Sequence, residues 1–303
     1  MSRSVFSYLC LLGLLSYCFF LQFWLLVWFL NGIMVVSIDY MWTGVLLRVP
    51  GILSTDRWPI MWIMMEINLI SFLPLISTQW SIKKISILYF LVQRVGSLSL
   101  LIRGILTDKS TIMRKWLILG LLLKARLAPF HFWGAPMIVN MSKSLALVFL
   151  TWQKIAPMIL LLVLPKMSWV VLLNIIVAAR CRVGTKNILV LLFFSGLIHM
   201  SWVLTSPCNM SIKYYAFYTL VTSPILLLTY HPLLIMNLAG LPPLTGFFIK
   251  LNVLQIIRLR RGIILLIFSI ILLYAYMRLF LLTPKHKPLT ITTVLPCCLG
   301  IVF

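Results

Sequence analysis

Apolar runs of roughly 18–25 residues, the length that carries a helix across a bilayer core, follow one another along most of this chain, and short basic breaks separate them. Backbone amides find no water inside hydrocarbon. Such a run must therefore satisfy its own hydrogen bonds as a helix or share them around a closed barrel. These runs are continuous and rich in Leu and Ile, without the in–out alternation of a barrel strand. With 62% hydrophobic and 10% charged residues, the chain reads as an all-α, polytopic membrane protein. Spans are expected near 5–31, 58–78, 85–106, 112–133, 142–165, 168–181, 187–206, 211–230, 232–257, 263–283 and 288–303, about eleven transmembrane helices. Residues 33–53, interrupted by Asp39 and Arg48, form an ambiguous twelfth. The expected organisation is one or more N-terminal transmembrane segments over 1–57, a main domain over 58–283 and a C-terminal transmembrane segment over 284–303.

A formal charge of +22 would suggest nucleic acid in a soluble protein. Here the basic residues cluster between apolar runs, as Lys83 and Lys84, Arg114 and Lys115, Arg258, Arg260 and Arg261, and Lys285 and Lys287. Loop charges and contacts to anionic lipid belong there, so no nucleic-acid partner is expected. A basic chain nearly free of acids also suits docking beside subunits that supply the counter-charge. The six cysteines show no CxxC or Cys/His ligand spacing, and neither a disulfide framework nor a metal site is implied. The first run is too long for a signal-peptide core and reads as a span. No stretch is long and polar enough for a soluble domain, so no flavin, haem or iron–sulfur centre is expected on this chain.

The acids are Asp39, Asp56, Glu66 and Asp108. Glu66, the one glutamate, falls inside an apolar run, where a carboxylate costs a few kcal/mol on insertion scales. Two runs are broken by Pro and Gly: Leu121 to Trp133, and Asn237 to Lys250. Proline removes a donor and kinks or opens a helix, and open backbone at membrane depth survives only when buried or lining a cavity. Paired broken helices in two halves of a transporter point to an ion route between inverted repeats.

Three lysines stand at apparent membrane depth, Lys124, Lys154 and Lys250. Snorkelling explains lysines near helix ends, but Lys154 has apolar residues for several turns on both sides. Burial and a nearby cation ease proton release from an ammonium, and an approaching carboxylate opposes it. Buried lysines with one carboxylate partner can thus form a switchable proton relay, with Thr151, Gln153, His131, Ser195 and His199 as fillers. His199 alone reads either as a core histidine or as a relay group. Arg94 and Arg126 would be fixed charges that tune lysines or bind lipid.

Several blocks then carry a resemblance: Met65-Glu66 through Pro74; Tyr89 to Gln93; Leu123-Lys124 and Ala128-Pro129-Phe130-His131-Phe132-Trp133; Leu150-Thr151-Trp152-Gln153-Lys154-Ile155-Ala156-Pro157; His199-Met200-Ser201-Trp202; and Gly240-Leu241-Pro242-Pro243-Leu244-Thr245-Gly246-Phe247. In this order, over roughly 58–255, they resemble the chain 2 family of mitochondrial NADH–ubiquinone oxidoreductase, antiporter-like membrane subunits of respiratory complex I. The resemblance implies two inverted five-helix repeats and two broken helices. It implies a proton relay in which Glu66 pairs with Lys124, Lys154 lies on the central axis, Lys250 stands near the exit side, and His199 is a further candidate. It implies no cofactor on this chain, with NADH, FMN, Fe–S clusters and ubiquinone in neighbouring subunits. It implies the other membrane-arm subunits and inner-membrane phospholipids as partners, cardiolipin among the candidates, in the mitochondrial inner membrane. In the family a proline often precedes the last lysine, where this chain has Ile249.

The alternative functions are a free-standing cation/proton antiporter, which shares the relay chemistry, and a structural membrane subunit whose buried charges only pack against partners.

Overall fold

A computed structural model describes residues 38–54, 58–77, 83–105, 111–164, 167–182, 187–227, 232–242, 244–257 and 259–282. The expected spans 5–31 and 288–303 lie outside the described residues. Among the described residues the chain is helix and turn throughout, and it divides into two compact units, Met1–Gly120 and Leu121–Phe303.

The first unit contains α1 (Ile38–Leu53), α2 (Trp58–Ser77), α3 (Lys83–Ile105) and the start of α4 (Thr111–Ala125). The ambiguous run at 33–53 is therefore helical over most of its length. Helices in lipid gain no hydrophobic drive toward one another, so small residues let them approach. Gly44 of α1 faces the Ser71 side chain of α2, and a Cβ on Gly51 would lie 2.8 Å from Met64 Sδ. Gly120 of α4 likewise backs onto Ser99 and the Gly96 carbonyl of α3. Trp62 Nε1 donates to the Ser97 carbonyl at 3.2 Å, and Phe72 meets Tyr89 edge to face at 5.5 Å, joining α2 to α3. The faces of α3 are sorted inside out relative to a soluble helix. Ile87, Leu88, Leu91, Val95 and Leu98 are exposed, while Gln93, Arg94 and Ser97 are buried. A lipid-facing aliphatic stripe around a polar interior produces that pattern.

The second unit continues with α5 (Gly134–Val139), α6 (Lys143–Leu150), α7 (Trp152–Val163), α8 (Ser168–Arg182), α9 (Ile188–Thr205), α10 (Cys208–Leu227), α11 (Pro232–Ala239), α12 (Thr245–Ile256) and α13 (Leu259–Leu282). Its central element is α9, buried continuously from Leu191 to Val203 and packed against α5, α6, α8, α10 and α13. A helix apolar on every side is one that is surrounded. Asn187 starts it by accepting from the Leu189 amide at 3.0 Å, a side-chain N-cap. Several hydroxyls inside the helices return to their own backbone, as Ser201 to Leu197 and Thr222 to Tyr218, which satisfies their protons within the helix.

Among the described residues three helical stretches are long and apolar enough to cross a membrane, Pro59–Ser77, Lys143–Val163 and Ile188–Thr205. Ser86–Leu101, Ser168–Cys181, Thr245–Ile256 and Gly262–Arg278 are apolar but shorter. Both expected breaks occur, between α4 and α5 and between α11 and α12. A third, not expected, interrupts the run 142–165 at Thr151. By contrast α12 runs without a break through Ile249 and Lys250, where an isoleucine, unlike a proline, keeps its amide in the helix.

Candidate functional site

In the first unit Glu66 on α2 is 4% exposed, and its Oε2 accepts from Arg94 Nη1 of α3 at 2.7 Å. The Arg94 guanidinium also lies 5.6 Å from the Phe90 ring centroid. A buried carboxylate requires a charge-assisted partner. The guanidinium provides one, so Arg94, read from the sequence as a tuner of lysines or a lipid ligand, is instead the glutamate's ion-pair partner. The pairing of Glu66 with Lys124 implied by the resemblance concerns residues of different units, since Lys124 belongs to the second.

Lys124 is buried in the last turn of α4, where the carbonyl end of a helix favours a cation. The helix then stops in a Schellman arrangement. The Leu127 amide donates to the Leu122 carbonyl at 3.1 Å and the Arg126 amide to the Leu123 carbonyl at 3.2 Å. The left-handed residue of this motif is usually glycine, yet here it is Arg126, with φ 57°. Its guanidinium donates to the Phe149 carbonyl and lies 3.7 Å from the centre of the Phe149 ring. Beyond it the Ala128 amide donates to Asn174 Oδ1 at 2.7 Å. These contacts satisfy the opened backbone and fix a permanent positive charge beside the break. His131 lies within the break, partly buried, with its ring 6.3 Å from that of Phe194.

Lys154 is completely buried on α7, one turn after the Thr151 irregularity. At that turn the Thr151 carbonyl accepts the Lys154 amide at 2.9 Å and the Tyr215 hydroxyl at 2.6 Å. The Lys154 Nζ has no hydrogen-bond partner among the described residues. It stands 5.9 Å from the Phe193 ring centroid, and the Arg126 charge acts on it. Opposite, on α9, is Gly196: a Cβ there would lie 3.0 Å from Lys154 Nζ and 2.9 Å from Tyr218 Oη. One turn along, His199 Nδ1 is 2.9 Å from Tyr214 Oη, and its ring is 5.0 Å from that of Tyr218. Trp202 stacks on Tyr214 at 6.1 Å.

Lys250 is buried on α12, and its Nζ donates to the carbonyls of Leu238, at 3.4 Å, and Ala239. Those are the last carbonyls of α11. That helix ends in the same Schellman arrangement as α4, with the Leu241 amide on Met236 at 3.3 Å and the Gly240 amide on Asn237 at 3.1 Å. Here the left-handed residue is Gly240, φ 85°, and a Cβ on it would lie 2.8 Å from Lys250 Nζ. The fully buried Asn237 clamps the far side, with Oδ1 accepting from Thr245 Oγ1 at 3.0 Å and the Gly246 amide at 2.8 Å.

The structure thus brings Lys154 and His199 together with Arg126, and ties Lys124 and Lys250 to the carbonyl ends of two half-helices. The expected fillers Thr151 and Ser195 donate their hydroxyl protons to Leu147 and Leu192 of their own stretches. What sequence reading missed was the set of buried tyrosines, Tyr214, Tyr215, Tyr218 and Tyr276. A signal was present: Tyr214, Tyr215 and Tyr218 crowd one face of a helix at i, i+1 and i+4. Among the described residues no group of three His, Cys, Asp or Glu side chains could hold a metal ion.

No protein-family model matches the chain. It is 28% identical to NADH-ubiquinone oxidoreductase chain 2 of Locusta migratoria over 272 residues, 75% of this chain and 79% of the relative. It is 27% identical to the protein of the same name from Paradoxurus hermaphroditus over 278 residues, 75% of this chain and 80% of the relative. The chain is a homologue of NADH-ubiquinone oxidoreductase chain 2. Its fold is similar to that of a chain in respiratory complex I from Thermus thermophilus, with TM-score 0.75 at 19% identity, over 91% of this chain and 81% of that one. It is also similar to a chain of the Mrp complex from Dietzia sp. DQ12-45-1b, with TM-score 0.70 at 18% identity, over 81% of this chain and 60% of that one. The all-helical fold expected from the apolar runs, antiporter-like as the resemblance implies, is the fold observed.

Proposed function

We propose that this chain is a proton-translocating core membrane subunit of respiratory complex I in the mitochondrial inner membrane. Electron transfer from NADH to ubiquinone, with FMN and Fe–S clusters in other subunits, would drive proton movement through a relay of Glu66, Lys124, Lys154 and Lys250, with His199 beside Lys154. The other membrane-arm subunits and inner-membrane phospholipids are its partners. The observation that carries this reading is Lys154, 0% exposed at the middle of a chain whose curated homologues are named NADH-ubiquinone oxidoreductase chain 2. Burying an ammonium without a carboxylate is expensive, and a purely structural role gives no return for that cost.

The test uses the assembled complex in membrane vesicles, with NADH oxidation and proton uptake measured together. Glu66→Gln and Lys154→Ala should assemble and lose about a hundredfold in proton translocation, at the low end of proton-transfer effects. Normal pumping by the assembled variants would instead support a structural subunit. Sodium- or potassium-for-proton exchange by the purified chain in liposomes would support the free-standing antiporter.

A further inference from the structure

We infer that Tyr218 is a relay residue of the second unit, passing protons between Lys154 and His199. This rests on the reading of Lys154 as a relay group. Two buried polar atoms, Lys154 Nζ and Tyr218 Oη, are each without a hydrogen-bond partner among the described residues. Buried donors and acceptors are nearly always paired, and a buried tyrosine ordinarily anchors its hydroxyl. Both atoms converge on the same point above Gly196, at 3.0 Å and 2.9 Å from where a Cβ would stand. A small rotation, or one bound water with these two partners, joins them. Any residue larger than glycine would fill the space between them.

The other side of Tyr218 faces the histidine. Its ring lies 5.0 Å from that of His199, and Tyr214, stacked on Trp202, holds His199 Nδ1 at 2.9 Å. Phenylalanine would supply the same packing, so the hydroxyl is the part of Tyr218 that packing does not explain. In the transfer, an N–H bond of the Lys154 ammonium breaks and an O–H bond forms on a Tyr218 lone pair. The hydroxyl's original O–H bond breaks, and its proton goes to the His199 imidazole, across a bound water where the gap exceeds hydrogen-bond reach. Lysine ends neutral, histidine cationic and tyrosine unchanged, so one proton has moved and no tyrosinate or tyrosyl cation is left behind.

The experiment compares Tyr218→Phe, Lys154→Ala and the double variant in assembled complex, reading proton translocation per NADH oxidised in H2O and in D2O. Tyr218→Phe should cut translocation by about a hundredfold and change the solvent isotope effect. The double variant should be no slower than Lys154→Ala alone, because residues acting as one unit are non-additive. Wild-type translocation by Tyr218→Phe, with Lys154→Ala slow, overturns the role of Tyr218 and leaves that of Lys154 standing. Wild-type rates in both overturn the pumping reading and this inference with it. A slow Tyr218→Phe with an unchanged isotope effect marks lost packing and also overturns the inference. Should Tyr218→Phe fail to assemble, Gly196→Ala decides, since its methyl wedges the two groups apart: slowed translocation supports the relay, and a wild-type rate overturns it.

Discussion

Lys250 reaches back across the second break and donates to the Ala239 carbonyl, the last residue of α11. A lysine at that end of a helix satisfies carbonyls that have no intrahelical donor and complements the helix dipole. Lys250 therefore holds the break together, whatever its part in the proposed relay. Lys250→Met should speed amide exchange in the last turn of α11, corresponding to about 1 kcal/mol of lost local stability, whereas Lys250→Arg should preserve protection there. Hydrogen–deuterium exchange of the assembled complex separates the two.

The ion pair in the first unit makes a different demand. Arg94→Met would leave the Glu66 carboxylate buried without its guanidinium, a loss of about 3–5 kcal/mol for a buried pair broken on one side. Adding Glu66→Gln should restore much of the assembled complex while leaving translocation low. Native gel analysis after mild heating, paired with vesicle pumping, measures both.

Tyr215→Phe should act on Lys154 at a distance. The hydroxyl is bonded to the Thr151 carbonyl at 2.6 Å, within the turn that aims Lys154. Losing that hydrogen bond should cost about 1 kcal/mol of stability and reduce translocation disproportionately. A thermal midpoint lowered in step with an unaltered rate would show that the turn does not orient the lysine.

Asn237→Ala removes an acceptor that serves Thr245 Oγ1 and the Gly246 amide at once. Two buried donors then lose their partner, at about 1–3 kcal/mol each. Asn237→Asp should retain both bonds. The yield of assembled complex at 37 °C distinguishes the variants.

Much of this was legible in the sequence because the membrane leaves few options. Run length and Leu/Ile continuity forced helices, and Pro129 and the Gly240-Leu241-Pro242 sequence located the breaks. The third break was not legible, since Thr151 and Trp152 are unremarkable as helix residues and the hydroxyl that bonds the opened Thr151 carbonyl belongs to Tyr215, 64 residues away. The Glu66–Arg94 ion pair was not legible for a related reason. Arg94 is one of many basic residues, and nothing in its neighbours shows that α3 turns it toward α2. The tyrosines were passed over because hydrophobicity and charge, the two properties that reveal a membrane site, are silent about a phenolic hydroxyl.

The two breaks are twins in backbone geometry and unequal in electrostatics. At the second, the left-handed position is Gly240, and the positive charge beside it is a lysine able to give its proton away. At the first, the same position is Arg126, whose charge persists at any pH the membrane meets. On the proposed relay, a proton arriving at Lys154 would climb a standing repulsion from Arg126, where the second break sets a glycine. On the proposed relay such a lopsided pair would act as a rectifier, with one terminal permanently biased, and would give proton movement through the second unit an intrinsic direction.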